Sequence, residues 1–508
     1  MRNLFYLSSL VVACVMGPVS RDARGQTAIV TKKATVTLSG RLDLNTVYRS
    51  QEFFSAMQGD GNSATAPPAG DSPLINYANS LPGQVAPGGS FRTGSGDFFM
   101  DPYLALNFAV DVGDQARGVI ELRTPFHVAD AGGKNDSPNG FFSGFQDRTL
   151  ELKQAYAEID EIFAGNQPGG GLLLRAGIMD FRKDLRGDGN SFVIDVSGSE
   201  HPFDGLATFG ATHTTSTGFA DTTEAAGGYA RYTILPFLTL DGWLFNLDES
   251  FNASTAVRRD LIFWGFSGEI PIGKESRLGK VFLTVFDLMN TSNTHVVTEG
   301  GGFVVYPWVG EEVNFLELFG EIYFQQGTYA RNASVTGQDL EQKDAFALQF
   351  GVKGKLPPMT VFENKKFIPF GELSYVEVSG DDNSQDVENS NFVSLENNNR
   401  TLIVENGYYG FDIDHNYRGF RAALGFHLAR WRFEALYAYF GFQDNGLGRI
   451  SANASNSSKI GDELDFSLEY EYNANLKLGL HEGLLIDSRA LGQAQVTQLT
   501  LFTISLGF

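Results

Sequence analysis

Apolar and polar residues alternate with a period of two in many separate segments of this chain. In the stretch 463–472 the two sets divide cleanly by position. The apolar set comprises Leu464, Phe466, Leu468, Tyr470 and Tyr472, and the polar set comprises Glu463, Asp465, Ser467, Glu469 and Glu471. Successive side chains of a β-strand point to opposite faces of the sheet. The pattern therefore predicts strands with one apolar face and one strongly polar face, and acids at alternate positions are unfavourable in a soluble core.

Strands of this kind are suited to a closed sheet in a membrane. Within hydrocarbon every backbone polar group must be paired, so a spanning sheet closes into a barrel of tilted strands of about ten residues each. Apolar side chains then face lipid, and polar side chains face the interior. Seventeen segments fit this pattern, and they are 34–49, 98–112, 116–125, 149–160, 171–181, 225–235, 237–248, 258–270, 280–289, 313–326, 343–354, 366–379, 419–428, 431–442, 463–472, 476–486 and 496–508.

The connections between these segments predict one further strand. Single-chain bacterial barrels have an even number of strands, with short periplasmic turns and long outer loops. Each connection can be assigned to the periplasmic or the outer side by counting strands from either end of the chain. The two assignments agree only if one more strand lies within 290–312. The segment Phe303–Tyr306, followed by Trp308, is the candidate, although Pro307 cannot donate a hydrogen bond to a neighbouring strand. We predict an all-β fold, a transmembrane antiparallel β-barrel of 18 strands (range 16–18) with periplasmic N- and C-termini.

The N-terminal segment 1–25 has the features of a secretory signal peptide. A basic start precedes an apolar stretch at Leu4–Gly17 and a small-x-small cleavage site at Ala23–Gly25. Cleavage there leaves 26–508 as a single barrel domain. The only cysteine, Cys14, lies in the signal peptide, so we expect no disulfide, reactive thiol or thiolate metal site in the mature protein.

The C-terminal segment 496–508 alternates in the same way and ends on an aromatic residue, Phe508, with Leu499 and Leu501 as apolar exceptions on its polar face. It resembles the closing strand of bacterial outer-membrane barrels, in which the final residue helps the assembly machinery recognise its substrate. The resemblance implies the barrel-assembly machinery as a partner through Phe508. It also implies outer-membrane lipid and lipopolysaccharide around the barrel.

Composition and motifs exclude several other classes of protein. The chain has 38 Lys and Arg against 60 Asp and Glu, a net charge of −22, which is the opposite of what a nucleic-acid binder needs. After residue 17 no apolar stretch reaches the roughly 20 residues of a spanning helix. Catalytic serine, zinc and nucleotide-binding motifs are missing, so we predict no enzymatic activity, no cofactor and no metal site. Asp412, Asp414 and Asn416 begin a calcium-loop spacing, but the glycine and distal Glu do not follow in register.

A barrel of 18 strands is wide enough to enclose water. Period-two assignment directs charged side chains inward as candidate pore-lining residues, and they are Arg41, Asp43, Glu121, Arg123, Arg175, Arg231, Glu317, Glu321, Glu372, Arg421, Arg432, Glu434, Asp465 and Glu469. Opposed charges across a lumen produce a transverse field that orients polar solutes. The alternative for each residue alone is a salt-bridged wall position that only stiffens the barrel.

The long loops 50–96, 182–223 and 380–418 are predicted to be extracellular. The densest basic cluster of this acidic chain, Arg182, Lys183 and Arg186, opens the second of them. One interpretation is a constriction loop that folds into the lumen and sets its diameter. The alternative is an ordinary solvated loop.

Four short motifs occur in the order Leu152–Glu158, Leu174–Gly177, Arg186–Gly189 and Phe203–Gly205. Their order resembles that of the alginate-export family of outer-membrane barrels, which have a Gln-Ala-Tyr strand, an Arg-x-Gly strand, a Gly-Asp-Gly turn and a later Phe-Asp-Gly. The resemblance implies an 18-stranded monomeric pore with an arginine-lined constriction for an anionic polysaccharide. Here Ile178–Met179 stands where a further Arg-Gln is expected. This departure from the family pattern makes an anionic polysaccharide a weaker expectation as the substrate of this chain.

These features together predict an outer-membrane channel, a porin, through which hydrophilic solutes or oligosaccharides diffuse. A dedicated exporter of an acidic polysaccharide is the alternative within transport. A barrel that acts in adhesion or as a structural element through its loops is the alternative outside it. The solute, its charge, the oligomeric state and the gate stay open at this point.

Overall fold

The computed structural model describes the strands and short connections of the chain. The described residues are 19–21, 27–30, 34–50, 97–113, 116–123, 151–162, 171–179, 181–182, 195–196, 225–234, 237–252, 257–273, 278–290, 295–309, 314–329, 340–361, 365–380, 388–390, 392, 400–405, 416–443, 458–487 and 496–508. Among these residues there is no helix long and apolar enough to cross a membrane.

Eighteen long strands form one antiparallel sheet. They are β1 Ala34–Arg49, β2 Asp97–Val112, β3 Ala116–Arg123, β4 Glu151–Ile162, β5 Gly171–Met179, β6 Ala225–Ile234, β7 Leu238–Asn252, β8 Val257–Ile272, β9 Gly279–Asn290, β10 His295–Val309, β11 Asn314–Tyr329, β12 Leu340–Lys355, β13 Lys365–Val378, β14 Tyr417–Leu428, β15 Trp431–Phe442, β16 Lys459–Asn473, β17 Leu476–Ile486 and β18 Thr497–Gly507.

Each of these strands pairs with the next along the chain, and the last pairs with the first. The β18–β1 ladder runs from Leu499 opposite Arg49 to Gly507 opposite Arg41. A main-chain bond of 2.7 Å from the Gly40 N–H to the Phe508 carbonyl extends it to the C-terminus. The sheet is therefore closed, and the predicted 18-stranded antiparallel barrel is confirmed.

The eighteenth strand, missed by the alternation pattern, is β10. The candidate segment Phe303–Trp308 forms its second half, and the pairing with β11 shifts register between Val305 and Trp308, next to Pro307. A proline without an N–H is tolerated at such an irregularity. The first half contains Gly300–Gly302, which carries no side chains to alternate and so conceals the period of two.

The two faces of the sheet differ as the period of two predicts. In β14, Phe420 and Leu424 are 43% and 73% exposed, whereas Arg421 and Ala423 between them are 1% and 3% exposed. Large apolar side chains are exposed on the outer face of the other strands in the same way. The barrel thus turns its apolar face outward and its polar face inward.

Short strands lie at the edges of the barrel. Thr27–Val30 pairs with residues 35–38 of β1, beyond the end of the β18 ladder, and Val19–Arg21 pairs with Thr27–Val30. Phe181–Arg182 pairs with Asp195–Val196 as a separate ribbon after β5. The cleavage of residues 1–25 and the periplasmic position of both termini stay predictions.

Gly302 provides a test of strand packing in β10. A Cβ at this position would lie 2.2 Å from the Gly320 carbonyl oxygen, whereas a Cβ at Gly118 in β3 meets nothing within 4 Å. We expect Gly302→Ala to destabilise the barrel by about 1–3 kcal/mol, because the neighbouring backbone must move. The protein is unfolded with urea in detergent, and the folded fraction is read from the gel mobility of unheated samples. Gly118→Ala is the matched control, and equal stabilities of the two variants would contradict the prediction.

Candidate functional site in the barrel lumen

The candidate pore-lining residues lie on the strand face opposite the exposed apolar side chains. The structure describes thirteen of the fourteen side chains, and that of Arg123 lies outside the described residues. Asp43, Glu321, Arg421, Glu434 and Asp465 are buried, at 7% exposure or less. Charged groups on this face are therefore packed against one another and against the wall.

Arginines of the early strands each bind a carboxylate. Arg41 Nε lies 2.6 Å from Asp43 Oδ2. Arg175 Nη2 lies 2.5 Å from Glu158 Oε2 on the adjacent strand, and the guanidinium lies over the Tyr156 ring at 4.7 Å. Arg41 is thus paired within its own strand, whereas Arg175 is held by the neighbouring strand β4.

A further ion pair joins β6 and β7. Arg231 Nε lies 2.8 Å from Asp241 Oδ1, and the Tyr229 hydroxyl donates to the same oxygen. The Ser267 hydroxyl, 3.4 Å from Asp241 Oδ2, extends the contact to β8. Among the predicted acids, Glu121 accepts from Gln154 Nε2 at 2.8 Å and Glu321 accepts from the Tyr323 hydroxyl at 2.9 Å.

Residues 400–405, between β13 and β14, lie inside the barrel. We call these six residues the inner segment. Arg400 lies 3.4 Å from Glu372 and 2.7 Å from Glu434. At the other end of the segment, Glu405 is fully buried and forms an ion pair with Arg421. The segment therefore contacts three neighbouring strands, β13, β14 and β15, through charged groups.

Main-chain groups of the inner segment bind carboxylates of β16. The Leu402 N–H donates to Asp465 Oδ2 at 3.0 Å. The next two N–H groups, of Ile403 and Val404, donate to the two oxygens of Glu463 at 2.5 and 2.9 Å. Two wall carboxylates thus satisfy three consecutive backbone donors that have no strand partner.

The apolar side chains of the inner segment cover an apolar part of the inner wall. Ile403 and Val404 are 1% and 0% exposed. They belong to one buried cluster with inward residues of the nearby strands, among them Val376, Val378, Ala438, Phe440, Leu485 and Leu499. This packing explains why Leu499 departs from the alternation of the C-terminal strand.

A glycine makes room for the inner segment on β17. A Cβ at Gly483 would lie 3.1 Å from Leu402 Cβ and 3.2 Å from Ile403 Cγ1, which is tighter than ordinary van der Waals contact. The main chain of β17 and the inner segment therefore approach each other closely at this point.

A second part of the chain enters the lumen at the end of β5. Phe181 is 4% exposed and packs among inward aromatic residues of β6–β8. Its ring centroid lies 4.7 Å from that of Phe245, 5.3 Å from Trp243 and 5.7 Å from Tyr229. The loop 182–223 thus begins inside the barrel.

Of the three predicted constriction residues, the structure describes only the backbone of Arg182. Arg182 pairs through its backbone with Asp195. Its side chain, together with Lys183 and Arg186, lies outside the described residues. The inward start of this loop is compatible with the constriction hypothesis, which stays a prediction.

Three charged residues of this network, Arg400, Glu405 and Glu463, are missing from the pore-lining prediction. Arg400 and Glu405 lie in the loop 380–418, which was expected to be extracellular, and Glu463 was recognised only as part of an alternating strand. One signal was available: Leu402–Val404 is an apolar run within a loop rich in Asn, Asp and Ser. An apolar run in a polar loop indicates a segment that packs against something.

The carboxyl group of Glu405 has a perturbed acidity. Its complete burial raises the pKa above the ordinary value, and the charges of Arg421 and Arg400 partly oppose this effect.

Comparison with known proteins identifies the fold. No family model and no curated protein matches the chain. Among solved structures, OccK9 (OpdG) of Pseudomonas aeruginosa has a TM-score of 0.50 at 13% identity, covering 93% of this chain and 98% of that chain. OccK2 (OpdF) of the same organism has a TM-score of 0.48 at 11% identity, with coverages of 93% and 97%. The likeness to OccK9 is one of fold, and none of the comparisons carries the resemblance to the alginate-export family.

The buried pair Arg421–Glu405 predicts a large stability effect. Arg421→Met leaves Glu405 buried without its closest guanidinium, and we expect a loss of about 3–5 kcal/mol in the free energy of unfolding. The control is Lys477→Met, because Lys477 and its partner Glu471 are 59% and 61% exposed and such pairs contribute less than about 1 kcal/mol. Urea titration of both variants in lipid vesicles measures the difference. Similar midpoints would show that the buried pair is not a stabilising contact.

Proposed function

We propose that this protein is a porin, an outer-membrane channel through which hydrophilic solutes or oligosaccharides diffuse. The observation that carries the proposal is the closed barrel of 18 strands, with exposed apolar side chains outside and ion-paired side chains inside. Only a closed sheet leaves no unpaired backbone edge in hydrocarbon. A polar inner face at this strand number fits an aqueous passage.

The chemistry of the inner face supports a passage for polar solutes. Arg41, Arg175, Arg231 and Arg432 each lie beside one or more carboxylates, so the wall presents alternating positive and negative charge. Such a surface replaces part of the hydration of a polar solute without holding it tightly. Diffusion, rather than high-affinity binding, is the mode of transport that this wall favours.

The same proposal covers the export signal, the assembly partner and the membrane around the barrel. Residues 1–25 direct export, Phe508 is read by the barrel-assembly machinery, and the outer face contacts lipid and lipopolysaccharide of the outer membrane. Residues 26–508 form the single barrel domain. The alternative function is export of an acidic polysaccharide, and the order of the short motifs around Leu152–Gly177 supports it.

Planar-bilayer recording of the purified protein tests the proposal. A porin gives ohmic steps of current in salt solution, because ions cross an aqueous lumen. Block of this current by uronate oligomers, with no block by neutral oligosaccharides, would favour the polysaccharide exporter. A folded barrel that carries no current would contradict the channel and favour a structural or adhesive role.

The constriction hypothesis gives a second prediction. We expect the triple variant Arg182→Ala, Lys183→Ala, Arg186→Ala to have a larger conductance and a selectivity shifted toward cations relative to the unchanged protein, since three long cationic side chains would leave the narrow part of the lumen. Conductance and the reversal potential in a salt gradient measure both quantities. The control variant Lys365→Ala, Lys366→Ala removes two exposed lysines at the start of β13. Unchanged conductance and selectivity in the triple variant would contradict an inward basic loop.

A further inference from the structure

Glu299 places a carboxylate on the outer face of the barrel. The side chain is exposed, and it lies between Val285 of β9 and Phe324 of β11, which are 39% and 50% exposed. A charged group on the lipid face of a barrel is unfavourable unless it reaches the head groups or a partner neutralises it. Glu299 is therefore a candidate binding residue of the outer face.

Other acids of the outer face have partners within the protein. They include Asp287, which lies 2.8 Å from His295 Nε2, Glu377, which accepts from the Tyr375 hydroxyl at 2.9 Å, and Glu482, which accepts from Gln498 Nε2 at 2.6 Å. Within the part of the chain that the structure describes, no donor or cation contacts the Glu299 carboxylate. The partner of this carboxylate is therefore a group that the described residues do not supply.

Glu299 lies at the boundary between a polar and an apolar part of the outer face. Two residues nearer to the start of β10, the neighbours on the adjacent strands are polar, Asp287 and Gln326. Two residues further along β10, the neighbours are apolar, Leu283 and Ile322. Lipid head groups lie at such a boundary, and hydrocarbon lies beyond it. A head group can therefore reach Glu299 while its acyl chains extend over Leu283 and Ile322.

A groove of about 760 Å³ begins at Glu299 and continues over the apolar part of β7–β11. Its walls are formed by large apolar side chains that are each at least 39% exposed, among them Phe266, Leu283, Val285, Ile322 and Phe324. The main chain of three glycines, Gly268, Gly300 and Gly301, also lines it. The volume lies within the range of ligand sites, about 300–1,000 Å³. The groove therefore has the size and the apolar lining that an acyl chain requires.

We propose that Glu299 and this groove form a binding site for a phospholipid whose head group carries a primary ammonium. The ammonium group pairs with the Glu299 carboxylate, and one acyl chain lies in the groove between Val285 and Ile322. The site requires the barrel to lie in a lipid membrane, as proposed above, but it is independent of what passes through the lumen.

The charge of Glu299 selects among head groups. An anionic phospholipid brings a phosphate without a cation and is repelled by the carboxylate. A primary ammonium donates a charge-assisted hydrogen bond to the carboxylate, whereas a quaternary ammonium has no N–H to donate. Gln326 lies diagonally across from Glu299, within about 8 Å, and its amide can donate to the phosphate of the same head group. The site therefore favours an ethanolamine head group over a glycerol or choline head group.

Native mass spectrometry of the full chain in detergent tests the site. The protein is mixed with equal amounts of phosphatidylethanolamine, phosphatidylglycerol and phosphatidylcholine that have identical acyl chains. We expect about fivefold to tenfold more bound phosphatidylethanolamine than either other lipid, and Glu299→Gln should remove this preference. Glu482→Gln is the matched control, because it neutralises an outer acid that already has a partner in the protein, and it should keep the preference.

Filling the groove tests the role of the acyl chain. Ile322→Trp places a larger side chain in the groove and leaves Glu299 unchanged, so we expect the same decrease in bound phosphatidylethanolamine. Leu424→Trp is the control, since Leu424 is 73% exposed on the outer face of β14, away from the groove. Phosphatidylethanolamine with a photoreactive acyl chain should label β9 and β11 beside the groove in the unchanged protein and lose this labelling in Ile322→Trp.

Several outcomes would overturn the lipid site. Equal binding of the three phospholipids, or labelling spread evenly over the outer face, would leave only an ordinary lipid boundary. Binding that requires magnesium and favours the anionic phospholipid would assign Glu299 to a bridging cation. Displacement of phosphatidylethanolamine by lipopolysaccharide, or a dimer that Ile322→Trp dissociates, would give the groove to another occupant. A folded barrel that carries no current would contradict the channel and not this site.

Discussion

The structure depends on one constraint, the pairing of every backbone polar group of the sheet with a neighbouring strand. The ladder between β18 and β1 removes the last two free edges and continues to the bond between Gly40 and Phe508. Without that closure, the apolar outer face would be bounded by unpaired N–H and C=O groups in hydrocarbon. A sheet that closes with every neighbouring pair antiparallel must have an even number of strands, and eighteen meets this requirement.

Closure also decides what the interior must contain. A wide barrel leaves an inner face that cannot be filled by its own side chains alone. In this protein the inner face is covered partly by ion pairs between neighbouring strands and partly by returning chain, at Phe181 and at the inner segment. The returning chain has no sheet partner for its N–H groups, and wall carboxylates such as Glu463 supply the acceptors.

Much of the barrel could be predicted because its signals are local. The period of two identified seventeen strands, and the parity of the connections required an eighteenth, which the structure places at His295–Val309. The inner position of Arg421 and Asp465 follows from the same parity. The exact start of β10 could not be predicted, because Gly300–Gly302 has no side chains from which to assign a face.

The sequence alone determined the fold class, and it determined the face of the residues in the alternating strands, because that face depends on the neighbours at one and two residues along the chain. The strand number followed from the same strands together with the parity of their connections. Only the tertiary structure decided that residues 400–405 lie inside the barrel. Their anchors are 59 to 63 residues away along the chain, from Val404 to Glu463 and from Leu402 to Asp465. Contacts between a loop and a distant strand leave no periodic pattern in either partner. They are set by which surfaces closure brings together.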